Sequence, residues 1–256
     1  MEPTWVMSPR ANPQATLRLV CFAYAGVVPS VYRPWLAALP PHIEVKLVQL
    51  PGREGRWREP ALTNLSEIAD RVAEAILPHV QGAPFAFYGH SLGAVISFEV
   101  TRRLRAAGGP MPRHLFLGAH RGAQLPNPHP PIRHLDDAQF IAETRKRYDG
   151  IPQAVLDNPE LLELMLPCLR ADFTAFETYE YRAAAPLDVP ISAFGGDQDG
   201  YVRTHEVAGW REQTTGRFRM RVMPGNHFFM QSARDQVIAA VVDDLSVAVE
   251  TPLAAR

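Results

Sequence analysis

The stretch from Pro84 to Gly109 constrains the fold of this chain more than any other. A short apolar run, Pro84 to Tyr88 (PFAFY), leads into Gly89-His90-Ser91-Leu92-Gly93, and a helix-forming stretch, Leu92 to Ala107, follows at once and is closed by Gly108-Gly109. An uninterrupted apolar run of this length reads as a strand of a parallel sheet, covered on both faces, and the paired glycines read as a helix stop. Glycines two residues before and two after the serine leave room for a strained turn that lifts its hydroxyl above the sheet. The competing reading is an ordinary strand-to-helix loop with a capping serine.

Other segments extend the same alternation. Thr16 to Phe22, Glu44 to Leu50, Arg113 to Gly118, Pro190 to Phe194 and Phe218 to Met223 read as further strands. Leu65, Ile68, Ala69, Val72, Ala73 and Ile76 recur at helical spacing, with Asn64 or Thr63 as cap, and Ala233 to Val249 reads as a last helix. Strands alternating with helices predict an α/β fold, a mostly parallel central sheet with helices on both faces. The alternation breaks after Arg121, where a Pro-rich loop precedes helical segments at Asp136 to Arg147 and Pro159 to Tyr179. Residues 121–185 are therefore expected to form a helical lid over the carboxyl edge of the sheet, where open α/β sheets bind ligands. Residues 16–120 and 186–256 form the expected core, and residues 1–15 an N-terminal tail.

Composition narrows the function classes. In 256 residues, 46% hydrophobic and 21% charged, a sizeable core is available, and the net charge of −1 offers no basic field for nucleic acid. No apolar run approaches the roughly 20 residues that span a bilayer, and the first residues do not read as a secretory signal. Cys21 and Cys168, far apart in sequence, read as buried thiols, and the nine histidines form no metal-binding pattern. The expectation is a cytoplasmic enzyme with no cofactor and no metal, a monomer that partners neither nucleic acid nor membrane.

The chemistry is read outward from Ser91. A hydroxyl is a weak nucleophile and needs a base. His227, in Pro224-Gly225-Asn226-His227-Phe228-Phe229, follows the last predicted strand and precedes the last helix, the place a base takes in the chain order Ser, acid, His. His90, inside the turn, and His205, in a predicted helix, are weaker candidates. The acid belongs in Phe194-Gly195-Gly196-Asp197-Gln198-Asp199-Gly200. Asp199 is favoured by its distance from the strand end, with Asp197 as the alternative that caps the turn through an Asx-type bond. The backbone N–H groups of Leu92 and of Ala25, in the loop after the first strand, are the expected oxyanion donors.

With these residues placed, the chain resembles the type II thioesterases that accompany polyketide synthases and nonribosomal peptide synthetases. The resemblance runs from Leu17 to about Val247. Beyond the elbow it includes Pro51-Gly52-Arg53 with Arg56 and Glu59-Pro60 (PGRxxRxxEP), Leu166-Pro167, Arg170-Ala171-Asp172 and Tyr179, and Gly225-Asn226-His227-Phe228-Phe229. It implies an α/β-hydrolase fold and a serine hydrolase that removes acyl groups from the phosphopantetheine arm of an acyl or peptidyl carrier protein. Stalled or incorrect chains would thereby be cleared. The chain departs from the family pattern at Tyr24 and Val27, where a histidine and a glycine are usual, and at Gly118 to Ala123, usually written SGRRAP. These departures imply a reshaped pocket mouth.

Arg53, Arg56 and Arg58 are expected either to meet the acidic surface of a carrier protein or, Arg56 and Arg58 especially, to lie in a solvated loop with local ion pairs. Met165, Leu166 and Phe173 line an acyl channel or pack the lid on the core. The same triad also serves an oxygen-ester or lactone hydrolase or an acyltransferase, and a catalytically silent docking module is the reading from another class.

Overall fold

The computed structural model describes residues 4–148, 151 and 153–249. In chain order its elements are β1 (Val6–Met7), β2 (Leu17–Phe22), α1 (Trp35–Ala38), β3 (Ile43–Val48), α2 (Leu65–Val80), β4 (Phe85–His90), α3 (Leu92–Ala106) and β5 (Leu115–Gly118). There follow α4 (Asp137–Tyr148), α5 (Gln153–Leu156), α6 (Pro159–Glu177), β6 (Ile191–Gly196), α7 (Thr204–Val207), β7 (Phe218–Met223), α8 (Phe229–Ser232) and α9 (Arg234–Val249).

The strands form one sheet in the order β1-β3-β2-β4-β5-β6-β7, parallel throughout except for β1. Each of β2 to β6 is buried at almost every position, so the uninterrupted apolar runs of the sequence follow from having both faces covered. One face packs on α2 and α3 through Ile68, Val72, Ile76, Val95 and Phe98. The other packs on α1 and α9 through Trp35, Val237 and Val241. Helix α2 begins where Asn64 accepts the N–H of Glu67 at 3.0 Å, capping one of the four unpaired donors of the first turn.

The chain winds from β2 outward to β3 and then returns past β2 to β4, so the order reverses between β2 and β4. A crevice opens at the carboxyl ends of strands at such a reversal, and it is where this architecture binds ligands. The loop after β2 and the turn after β4 both end there. Helices α4, α5 and α6 lie between β5 and β6 in sequence, inside the stretch read as a lid; residues 149, 150 and 152 of that stretch lie outside the described residues.

The N-terminus differs from the expected tail. Val6 and Met7 pair antiparallel with Val48 and Leu47, and the N–H of Gln49 donates to the Trp5 carbonyl at 2.8 Å. This pairing covers the edge of β3. Two residues are too few for an alternation to show in the sequence. Residues 1–3 of the tail and 250–256 of the core lie outside the described residues. Cys21 and Cys168 are free, buried thiols. Among the described residues no helix is long and apolar enough to cross a membrane, and no three His, Cys, Asp or Glu side chains converge as a metal site.

Candidate active site

Strand β4 delivers Ser91 into a turn with φ 53° and ψ −117° before α3 begins at Leu92. Such a backbone is unfavourable for a residue with a side chain, and the neighbours hold it there: the Ser91 N–H donates to the Gly118 carbonyl at 2.8 Å. The two glycines of the pentapeptide are required by contact. A Cβ at Gly89 would fall 2.2 Å from the Gly93 oxygen, and one at Gly93 would fall 2.2 Å from the Phe22 oxygen. The spacing in the sequence thus reflects the close approach of β4, α3 and the end of β2.

His227 is buried in the loop between β7 and α8 and faces both partners expected of it. Its Nε2 lies 2.9 Å from Ser91 Oγ and its Nδ1 2.8 Å from Asp199 Oδ2. The carboxylate only accepts, so Nδ1 carries the proton and Nε2 is left to accept from the serine. The second oxygen, Oδ1, accepts the N–H groups of Tyr201 at 2.9 Å and Val202 at 3.0 Å. Burial pushes the Asp199 carboxyl up. The hydrogen bond and charge of His227, with the two backbone donors, outweigh it and hold the group below the usual carboxylate range.

Asp197 is exposed and does not reach the imidazole. Its Oδ1 accepts the N–H of Gly225 at 2.8 Å. It ties the loop after β6 to the loop that carries His227, a cross-loop bond in place of the local Asx-type bond expected for it.

His90 is buried, and its Nε2 donates to the His227 carbonyl at 2.8 Å. Burial and the nearby His227 push its pKa down to about 3. It stays neutral and supports the backbone of the next histidine. His205 lies in α7, within the loop region after β6.

Two further buried histidines share this behaviour, His120 being pushed down to about 3 and His114 to about 4, chiefly by burial. In the unfolded chain each ionises near its ordinary value of about 6.5. Below that pH the unfolded chain therefore binds protons that the folded chain refuses, and stability falls as pH drops. The urea midpoint is expected to fall steadily from about pH 6.5 downward, above the carboxylate range. A midpoint unchanged between about pH 7 and pH 5 would contradict this assignment.

Ser91 and His227 sit at the wall of a cavity of about 380 Å³, with Ala25 and Leu92 beside them. This is within the range of small-molecule sites. Leu92 is the first residue of α3, so its N–H has no partner within the helix. Met165, Leu166 and Phe173 all line the cavity, while Phe173 also packs edge-on against Phe140 and Tyr148, so the two roles read for it coexist. Tyr24 lines it too; its Oη accepts from Gln231 Nε2 at 2.5 Å. The departure from the family pattern at Tyr24 and Val27 therefore falls on the cavity wall.

The arginines differ from expectation. Arg53 is 7% exposed, and its two terminal nitrogens bond the two oxygens of Asp172 at 2.8 and 2.7 Å, so its charge is neutralised inside the fold and does not meet a carrier surface. Arg56 has the expected local ion pair, with Glu59 at 2.6 Å, but is buried, and its guanidinium lies 4.0 Å from the centre of the Trp5 ring. The N-terminal strand that brings Trp5 over this loop could not be foreseen from the motif. Of the three, only Arg58 is exposed as expected, beside the exposed Trp57.

The sequence pattern left Asp172 and Gln231 without roles and did not place His90 beneath His227. Asp172 stood out only through the resemblance, because its partners lie 119 and 146 residues away.

The thioesterase domain family matches residues 17–245. Linear gramicidin dehydrogenase LgrE of Brevibacillus parabrevis is 41% identical over 244 residues, covering 94% of this chain and 92% of LgrE. Thioesterase PikA5 of Streptomyces venezuelae is 37% identical over 243 residues, covering 95% of this chain and 86% of PikA5. The solved structure of BorB, a type II thioesterase from the borrelidin biosynthetic cluster, superposes with a TM-score of 0.83 at 32% identity, covering 95% of this chain and 97% of BorB.

Proposed function

Since the chain belongs to the thioesterase family and has the α/β-hydrolase fold, we propose that it hydrolyses acyl groups from the phosphopantetheine arm of carrier proteins, with Ser91, His227 and Asp199 as its catalytic residues. The observation that carries this reading is the chain of two hydrogen bonds, Ser91 to His227 to Asp199, at the wall of an apolar cavity.

In the first half-reaction Ser91 Oγ bonds to the thioester carbonyl carbon and its proton passes to His227 Nε2. The carbonyl oxygen takes the developing negative charge and is held by the N–H groups of Leu92 and Ala25. The C–S bond then breaks and the departing sulfur takes the proton from Nε2. In the second, water gives a proton to Nε2 while its oxygen attacks the acyl carbon, and Ser91 leaves with that proton. Asp199 keeps Nδ1 protonated and stabilises the imidazolium formed in each half.

Two structural relatives at 28% identity, ClbQ and the type II thioesterase YbtT, come from the colibactin and yersiniabactin NRPS/PKS pathways, which supports such a setting for this chain. The role for this chain is accordingly clearance of stalled or incorrect intermediates, as a cytoplasmic monomer that meets its carrier partner transiently and needs no cofactor. The name of LgrE points to redox chemistry. In this chain the loop after β2 reads Ala23-Tyr24-Ala25-Gly26-Val27 and not the G-x-G-x-x-G of dinucleotide-binding folds, and the turn after β4 presents a serine. That favours hydrolysis.

Matched substrates, one acyl group carried as a thioester and as the corresponding oxygen ester, separate this reading from an ester or lactone hydrolase. The thioester is expected to be turned over faster, and a preference for the oxygen ester would overturn the assignment. Labelling of Ser91 by a fluorophosphonate is expected in the same preparation, and a silent docking module would remain unlabelled.

A further inference from the structure

Helix α6 grips the loop after β2 at a single residue. Asp172 is fully buried, and its Oδ2 accepts the N–H of Gly26 at 2.7 Å together with Arg53 Nη1 at 2.8 Å, while Oδ1 accepts Arg53 Nη2 at 2.7 Å. Leu169, one turn earlier on the same face of α6, covers Gly26 so closely that a Cβ there would lie 2.4 Å from Leu169 Cδ1. Gly26 has φ 73°, the left-handed region that glycine enters without penalty. Its peptide is therefore fixed from the nitrogen side by Asp172 and from above by Leu169.

That peptide joins Gly26 to Ala25. Because peptide units are planar and rigid, only two soft torsions separate the clamped Gly26 N–H from the N–H of Ala25. A carboxylate is the group this position needs, since three N–H donors converge on it, and an amide would offer one oxygen and turn an NH₂ toward the others. Resting on the catalytic reading above, we infer that Asp172 is a positioning residue for the oxyanion site, aiming the Ala25 N–H through the Gly26 peptide, with Arg53 compensating its buried charge. Asp172 itself touches no substrate. The helical insertion thereby takes part in transition-state stabilisation as well as walling the cavity.

The test must separate positioning from stability, since removing one member of a buried ion pair destabilises the fold. Combining Arg53→Met with replacement of Asp172 removes both charges of the buried pair. Asp172→Asn then still offers Gly26 an acceptor, whereas Asp172→Leu, or the smaller Asp172→Ala, offers none. Each folded variant is assayed on an acyl N-acetylcysteamine thioester and titrated with the matching acyl trifluoromethyl ketone. Ser91 Oγ adds to the carbonyl carbon of that ketone, its proton passes to His227 Nε2, and the carbonyl oxygen becomes an oxyanion. The methyl ketone of the same chain, which binds without adding, reports on the cavity alone.

Relative to Asn, the Leu and Ala variants are expected to lose about 10- to 100-fold in kcat with KM little changed. Affinity for the trifluoromethyl ketone should fall by the same factor while that for the methyl ketone holds. Leu or Ala variants that fold and match the Asn variant in kcat and trifluoromethyl ketone affinity would overturn the inference. So would a loss of kcat without a loss of that affinity, which a merely structural role would give. A wild-type protein that leaves the thioester intact would instead overturn the catalytic reading on which this rests.

Discussion

Ser91→Ala is expected to lower kcat on an acyl thioester by about 10⁵- to 10⁶-fold, with KM little changed. The substitution removes the atom that bonds to the acyl carbon and leaves the cavity wall in place, so ground-state binding persists. His227 would keep its bond to Asp199, and the remaining activity would come from water oriented at the same place, with the oxyanion donors still present. Steady-state kinetics on a small thioester measure the effect, with thermal unfolding as control. The variant is expected to unfold close to the wild-type temperature, because alanine takes the same backbone path and the hydroxyl it removes is only partly buried. Near-full activity would mean that the bond from Ser91 to His227 is incidental.

Asp199→Asn carries the second largest effect, a loss of about 10⁴-fold in kcat. Asn matches the size of Asp and keeps an oxygen for the N–H groups of Tyr201 and Val202. It then turns an NH₂ toward Nδ1 of His227, which must become the acceptor. The ring proton moves to Nε2, where it faces Ser91 Oγ and cannot receive the hydroxyl proton. Asp197→Asn is the companion variant. It retains an acceptor for the Gly225 N–H at an exposed position and is expected to change kcat by no more than about threefold. Rates on one thioester decide between the two carboxylates, and equal losses for both would contradict the geometry.

These two aspartates are hard to separate from sequence for a physical reason. They lie two residues apart after the same strand, each beside a glycine, Asp197 after Gly196 and Asp199 before Gly200. What distinguishes them is the path of the loop, which buries Asp199 against His227 and leaves Asp197 at the surface. That path depends on contacts with the loop after β7, 28 residues away. The elbow was legible for the opposite reason. Strand, glycines, serine and helix are contiguous there, and the contact between Gly89 and Gly93 is local.

The parallel sheet was also legible, because strands buried on both faces are apolar without alternation. Strand β1 was hidden by its length. The fates of Arg53 and Arg56 were hidden because exposure cannot be inferred from charge when the neutralising partner is remote. Arg53 finds Asp172 across 119 residues, and Arg56 rests on a Trp5 that only the N-terminal pairing brings near. The same loop that resembled a docking surface is largely internal structure, and Arg58 with Trp57 is the part that faces outward.

On the proposed function, this chain takes acyl groups from a carrier arm through Ser91. The direct measurement is the mass of a carrier protein loaded with a short acyl group on its phosphopantetheine, followed over time with wild type and with Ser91→Ala. With wild type the carrier is expected to lose the acyl mass and keep its phosphopantetheine, and with Ser91→Ala to stay acylated. A carrier left acylated by the wild-type protein, while a small oxygen ester of the same acyl group is consumed, would contradict it.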